Sequence, residues 1–259
     1  MSVNISVIIP IYDYSIYVPT CLDSIFNQKL NNIEIILLNY SKNNINQLIH
    51  LYLNKSDNIK IIQNSFENFN SSFDQAINEA KGKYVAFFDS NDFLDSSMLE
   101  KLFNLSESNN LDIAMCKLSS IDDFTQEFDD DLHDLSLSIL NNYEDKIFSG
   151  KDVLKVIPQI YSKPYNKLFN RSFLINNNIS YPNFLFGDEI FFYDSLLNAN
   201  KISIVDESLY VRRFNNRFTR NIIVEDYSNI ISAFLSIRNN LIKSNLWNFC
   251  KKNVYNHFI

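Results

Sequence analysis

The densest chemistry in the chain lies in Asp89-Ser90-Asn91-Asp92, directly after the apolar run Tyr84–Phe88 (YVAFF). Two carboxylates bracketing an amide present oxygen ligands of the kind that hard divalent cations take. A cation there offsets the repulsion between an acidic protein and an anionic diphosphate. The same spacing suits a strand end followed by a helix cap, a position that Asp favours, and on position alone the two readings stand level. Two more polar segments follow apolar runs in the same way. They are Pro10-Ile11-Tyr12-Asp13 after ISVIIP, and Asn39-Tyr40-Ser41 after IEIILL. Ligands of open parallel α/β sheets collect at the carboxyl ends of strands, so the three segments mark one candidate site.

A sheet must bring them together, and the hydrophobic periodicity predicts one. Ile5–Pro10, Ile33–Leu38, Ile59–Ile62, Tyr84–Phe88 and Asp112–Leu118 read as buried strands. Between them, Tyr17–Gln28 (with Val18, Cys21, Leu22, Ile25 and Phe26 on one face), Ile45–Leu53, Ser72–Ala80 and Asp95–Ser108 read as helices, the last with Asp95 as cap. Strand–helix repetition with continuously apolar strands implies a mostly parallel sheet with helices on both faces. Seven of the thirteen residues from Asp122 to Asp134 are acidic, which marks a solvated edge and a natural boundary. Beyond it come a predicted helix at Lys151–Ile157, a mixed region from Tyr161 to Arg213, and a mainly helical tail from Val224 to Ile259.

Composition removes several function classes. The only glycines, Gly82, Gly150 and Gly187, are too far apart for a dinucleotide fingerprint or a Walker loop. Thirty acidic residues against 23 basic ones, without a basic run, argue against nucleic-acid binding. Cys21, Cys116 and Cys250 form neither a metal-ligand pattern nor a disulfide framework, so a reducing compartment is expected. The start, MSVNISVIIP, lacks the basic segment of a signal peptide, and no apolar run is long enough to span a bilayer. A soluble protein is expected. Asparagine is abundant, at 38 residues, and reads as codon bias.

Six segments together resemble a known family. ISVIIPIYDYSIYVPTCLDSIFNQ, NIEIILLN and AKGKYVAFFDSNDFLD are similar to the N-terminal half of a family 2 glycosyltransferase with the GT-A fold. KPYNKLFNRSFL, FGDEIFF and LYVRRFNN resemble the second half of its bacterial and archaeal surface-polysaccharide members, so the likeness runs collinearly from about residue 4 to 220. It implies a nucleotide-sugar-binding half at 1–120, an acceptor-side half at 121–221, and a helical segment at 222–259.

The resemblance assigns roles residue by residue. Pro10, Tyr12, Asp13, Asn39 and Tyr40 fall where the family grips the nucleotide base, with Tyr40 in place of a carboxylate. Ser72-Phe73-Asp74 stands where an Ala-Arg-Asn stretch is common, which removes a cation. Asp89, Ser90, Asn91 and Asp92 match the metal and donor motif, with Asn91 where a carboxylate normally meets Mg²⁺ or Mn²⁺. The missing charge is worth on the order of 4 kcal/mol for a pair about 4 Å apart at an effective dielectric near ~20. In FGDEIFF the acidic pair supplies the general base, Glu189 first and Asp188 as the alternative. Arg212 and Arg213, with Tyr210 and Asn215 beside them after a predicted strand, fall where the leaving diphosphate is stabilised. Lys163, Asn166 and Lys167 support the fold near the acceptor.

The activity so implied is inverting transfer of a sugar from a nucleotide-diphosphate sugar to a hydroxyl of a glycan or lipid-linked acceptor, in surface-polysaccharide synthesis. Cytoplasmic location follows, with peripheral association at the inner face of the membrane as an option, although no basic amphipathic helix in the sequence is strong enough to claim a membrane surface. The departures at Tyr40, Phe73 and Asn91 keep open a catalytically impaired relative acting as a binding or assembly module. His50, His133 and His257 fall outside every motif and read as solvent-facing; Trp247 reads as a packing residue.

Overall fold

The first strand sets the frame. Ile5–Ile11 is β-branched at five of seven positions and buried throughout, so it pairs on both sides at the centre of a sheet. The computed structural model describes residues 2–11, 16–41, 51–54, 56–64, 69–122, 125–129, 143, 146–154, 162–182, 187–214 and 224–258. Its strands are β1 (Ile5–Ile11), β2 (Ile33–Asn39), β3 (Ile59–Gln63), β4 (Tyr84–Phe87), β5 (Phe93–Leu94), β6 (Ile113–Asp122), β7 (Phe128–Asp129), β8 (Lys167–Asn170) and β9 (Ile202–Phe214). The helices are α1 (Val18–Phe26), α2 (Phe69–Glu79), α3 (Met98–Asn109), α4 (Arg171–Asn176), α5 (Gly187–Asn198), α6 (Val224–Lys243) and α7 (Trp247–Phe258).

The strands form one sheet in the order β3-β2-β1-β4-β8-β6-β9-β5, with β7 on β6. β3, β2, β1 and β4 are mutually parallel, and so are β6 and β9. The short β8 is antiparallel to both β4 and β6 and joins the two parallel sets. Side chains alternate between two cores. Ile8, Ile36, Val85 and Phe87 face α2, α5, α6 and α7, whereas Val7, Ile9, Leu37 and Ala86 face α1 and α3.

Pro10 marks the end of the pairing between β1 and β4. Ile8 accepts from Phe88 N–H on the β4 side at 3.1 Å, and Ile11 accepts from Tyr40 N–H on the β2 side at 2.8 Å. By alternation Pro10 turns its missing N–H towards β4, whose pairing with β1 stops at Ile8↔Phe87. The chain after β4 is therefore released from β1 and leaves the sheet as the Asp89–Asp92 loop.

Several sequence expectations shift. The predicted fifth strand runs on to Asp122, and the acidic stretch begins as the β6–β7 hairpin. Asp95 does not cap α3: Ser97 occupies the N-cap, and the Asp95 carboxylate accepts from Ser97 N–H at 2.8 Å and Ser97 Oγ at 2.6 Å. Tyr210, Arg212 and Arg213 lie inside β9, not after a strand. Residues 151–154 form turns, and the remainder of that predicted helix, like residues 45–50, lies outside the described residues. All three cysteines are buried thiols. No helix among the described residues is long and apolar enough to cross a membrane.

Candidate active site

The Asp89–Asp92 loop is tied to β9. Asp92 is buried, and its Oδ2 accepts from Tyr210 Oη at 2.5 Å while its Oδ1 accepts from Arg213 N–H at 2.8 Å. Burial, and then the neighbouring charge of Asp89, push the Asp92 carboxyl up to about 8. Asp89 is half-buried; its Oδ1 accepts from Asn91 N–H at 2.9 Å and from Asn91 Nδ2 at 3.0 Å. Burial raises its pKa as well, opposed by the Asn91 hydrogen bonds and the Arg212 charge. Ser90 is buried.

This arrangement bears on the metal expectation. Both oxygens of Asp92 accept hydrogen bonds from β9, so Asp92 fixes the loop to that strand. Asp89 keeps Oδ2, which takes no hydrogen bond among the described residues, and Asn91 turns its Nδ2 to Asp89. No group of three His, Cys, Asp or Glu side chains among the described residues comes together to hold a metal ion. A single carboxylate with an adjacent amide fits a Mg²⁺-type ion only when substrate phosphates complete its shell.

The second acidic cluster sits at the start of α5. Asp188 and Glu189 occupy its first turn, where the helix dipole favours negative charge. Asp188 Oδ2 accepts from Lys163 Nζ at 2.5 Å, and its Oδ1 from Glu189 N–H at 3.0 Å. Glu189 Oε1 accepts from Ser162 Oγ at 2.7 Å and lies 3.6 Å from Lys163 Nζ. Burial works to lower the Lys163 pKa, but Asp188 and Glu189 outweigh it and hold the ammonium above its ordinary value. Beneath them Lys167 is fully buried, donating to Lys163 O and Asn166 Oδ1 at 2.7 Å each. Burial pushes its pKa down to about 7, against the charges of Cys116 and Glu189.

One stacked pair links the two clusters. Tyr165, in the turn between Lys163 and Lys167, stacks on Tyr210 with ring centroids 6.3 Å apart, and Tyr210 holds Asp92. The chain of contacts thus runs from Asp92 through Tyr210 and Tyr165 to the turn that carries Ser162 and Lys163. Asn166 braces that turn by donating to Cys116 O at 2.6 Å.

The residues expected around the base divide. Asn39 ends β2, with its amide donating to Gln63 Oε1 at 2.9 Å and accepting from Ser41 N–H at 3.0 Å. Tyr40 is buried, not presented for stacking, and its hydroxyl is hydrogen-bonded to Ser72 Oγ. Phe73 is buried against Tyr181 at 4.6 Å. Two departures from the family pattern, Tyr40 and Ser72-Phe73, therefore form one packed unit. Arg213 lies over the rings of Tyr17 at 4.6 Å and Phe93 at 4.9 Å, whereas the Arg212 charge reaches both Asp89 and Asp92. Tyr12, Asp13, Asn215, His50 and His133, and the side chain of His257, lie outside the described residues.

The family model described as glycosyl transferase family 2 matches residues 6–179, two thirds of the chain and every strand from β1 to β8. The chain belongs to this family. A poly(ribitol-phosphate) beta-glucosyltransferase of Bacillus spizizenii is 29% identical over 208 residues, 78% of this chain and 31% of the relative. Three curated relatives that the chain matches are longer, and this chain covers 31% to 61% of their length. Among solved structures, S. aureus TarS 1-349 superposes with a TM-score of 0.75 at 18% identity, covering 98% of this chain and 70% of that one; it is also solved with UDP-GlcNAc. The Pyrobaculum calidifontis mannosyltransferase PcManGT, solved with GDP-Man and Mn²⁺, superposes with a TM-score of 0.62 at 11% identity, over 94% of this chain and 64% of that one. These likenesses establish the GT-A fold.

Within this family 2 chain, sequence reasoning marked Lys163, Asn166 and Lys167 only as fold supports and passed over Ser162 and Tyr165. Their link to the acidic pair was not readable, because it depends on β8 entering the sheet between β4 and β6. The spacing Lys163–Lys167 was the available signal: two lysines in so short a stretch, one of them buried, require nearby acceptors.

Proposed function

We propose that this family 2 protein is an inverting glycosyltransferase, moving a sugar from a nucleotide-diphosphate sugar to a hydroxyl of a glycan or lipid-linked acceptor in surface-polysaccharide synthesis. The observation that carries the reading is the ion-paired Asp188–Glu189 cluster, coupled through Tyr165 and Tyr210 to the Asp89–Asp92 loop. Residues 1–120 take the donor and 121–221 the acceptor. Pro10, Asn39 and Asp89 line the donor end of the sheet, with Tyr12 and Asp13 in the same segment of sequence.

Glu189 is the general base. Lys163 places a positive charge 3.6 Å from it, Ser162 orients one oxygen, and a carboxylate so placed takes a proton from a hydroxyl within about 3 Å. The acceptor oxygen forms its bond to the anomeric carbon as the bond from that carbon to the diphosphate oxygen breaks. The hydroxyl proton passes to Glu189. Asp188 is committed to Lys163 and serves as the alternative base. Arg212 offers charge-assisted hydrogen bonds to the departing diphosphate. A Mg²⁺ or Mn²⁺ ion held by Asp89 and Asn91 supplies further charge neutralisation when bound. The protein works at the cytoplasmic face of the membrane.

Calorimetry with UDP-, GDP- and dTDP-sugars, with and without Mn²⁺, tests the donor side, and one of these donors should bind. Glu189→Gln should then lower transfer by about 10²- to 10⁴-fold with donor affinity unchanged, read by coupled nucleotide release. Loss of donor binding in that variant would assign Glu189 a different role. A second reading, a fold retained for binding without transfer, is favoured by Tyr40 and Phe73 being spent on packing. Silence toward every donor supports it.

A further inference from the structure

The two C-terminal helices carry a surface that sugar transfer leaves unexplained. On α6, Tyr227, Ile231, Leu235 and Ile242 are between 42% and 57% exposed. At 100° per residue these positions fall within an arc of roughly 80°, and the buried Ala233, Ile237 and Leu241 fall within a second arc centred about 120° away. Phe234 continues the stripe onto α7, where Trp247 and Tyr255 pack against it with centroids 6.2 and 5.3 Å away. Arg238, inside the same arc, lies 5.5 Å over the Trp247 ring.

Charge chooses the partner. The protein is acidic overall, yet α6 and α7 together hold four basic residues and two acidic ones, the latter confined to the first turn of α6. Arg238, Lys243, Lys251 and Lys252 accompany the apolar stripe. A two-fold contact between copies would set this basic face against itself. Aliphatic and aromatic side chains flanked by lysine and arginine match the interface of an anionic bilayer, with rings at headgroup level and cations among the phosphates.

The geometry points to the exposed α6–α7 face, centred on Ile231 and Leu235 with the half-buried Trp247 at its edge, as a docking surface for anionic phospholipid membranes. It requires no assumption about the donor site, so vesicle binding and nucleotide-sugar binding fail independently. The protein's single tryptophan reports on it directly.

The test is sedimentation of the whole protein with phosphatidylcholine vesicles, with and without phosphatidylglycerol, together with quenching of Trp247 by brominated lipid. Binding should be at least about tenfold tighter to the anionic vesicles and weaken with salt, because each basic residue near such a surface contributes roughly a fivefold factor. Trp247 should be quenched. Ile231→Asp combined with Leu235→Asp should abolish binding, and Lys251→Glu with Lys252→Glu should reduce it at least about tenfold. Donor affinity should be unchanged in both. The quenching experiment needs no variant and decides the matter if a variant misfolds. No binding to anionic vesicles, or binding without Trp247 quenching, overturns the proposal. So does a dimer in light scattering that the aspartate variant dissolves.

Discussion

At the scale of single residues, the acidic motif carries two different jobs. Asp89 and Asp92 look equivalent in sequence, yet Asp92 accepts on both oxygens, from Tyr210 and the Arg213 backbone, whereas Asp89 accepts from Asn91 on Oδ1. Tyr210→Phe should therefore cost about 1–3 kcal/mol in urea denaturation, the penalty for a buried acceptor left without its donor, and should weaken donor binding by freeing the loop. Lys167 makes a second prediction. With its pKa near 7 in the folded protein and an ordinary value when unfolded, the folded state binds fewer protons between about pH 7 and pH 10. The burial penalty is present in full below pH 7 and is relieved as pH rises through that window, so the Lys167 contribution to stability should increase there, while the raised Asp92 carboxyl and buried thiols pull the whole-protein profile the other way. The difference between wild type and Lys167→Met, measured as denaturation midpoints against pH, isolates this residue and should move in favour of wild type as pH rises. A difference that moves the opposite way over that range would contradict the assignment. The sequence identified the acidic residues as candidates, but which oxygen is spent and which amine is buried depends on partners more than a hundred residues away.

At the scale of elements, asparagine and glycine have exchanged roles. Four of the five non-glycine residues with positive φ are asparagines, Asn32, Asn110, Asn178 and Asn245, while no described glycine has positive φ. The asparagine content, read from sequence as codon bias, thus includes left-handed positions that usually fall to glycine. Asn110 closes α3 with φ 51° and ψ 54°. Asn110→Ala should lose about 1–2 kcal/mol, and Asn110→Gly should be close to neutral, as thermal unfolding of the two variants will show. Gly82 serves close approach instead, since a Cβ there would meet Ser6 N at 2.4 Å. Strands β1, β2 and β4 and helices α1 and α3 were legible within a few residues, because each is a continuous apolar run or a clean helical face. The short β8 and β5 were not, since four and two residues carry no periodicity of their own and exist only by pairing with β4, β6 and β9.

At the scale of the whole molecule, one apolar cluster joins the sheet to the C-terminal helices: Ile8 and Phe87 belong to it together with Ala233, Ile237, Leu241 and Val254. Trp247 packs against that cluster. Denaturation followed by its fluorescence should coincide with the loss of helical circular dichroism, and separated midpoints would show that α6 and α7 melt on their own. The charge is also uneven along the sequence, since α6 and α7 carry four basic residues and two acidic ones in a protein of net charge −7. The sequence by itself determined the family, the GT-A class of sheet, the acidic residues that bear on chemistry and the absence of a glycine phosphate loop. Those are local properties, written in apolar runs and residue types. Only the tertiary structure decided that Asp92 is a brace, that Tyr40 and Ser72 close on each other, that Arg213 stacks between Tyr17 and Phe93, and that Lys167 underlies the Asp188–Glu189 pair. Each depends on which strands lie side by side, and the sheet order is fixed by long-range pairing, on which residue spacing carries no information.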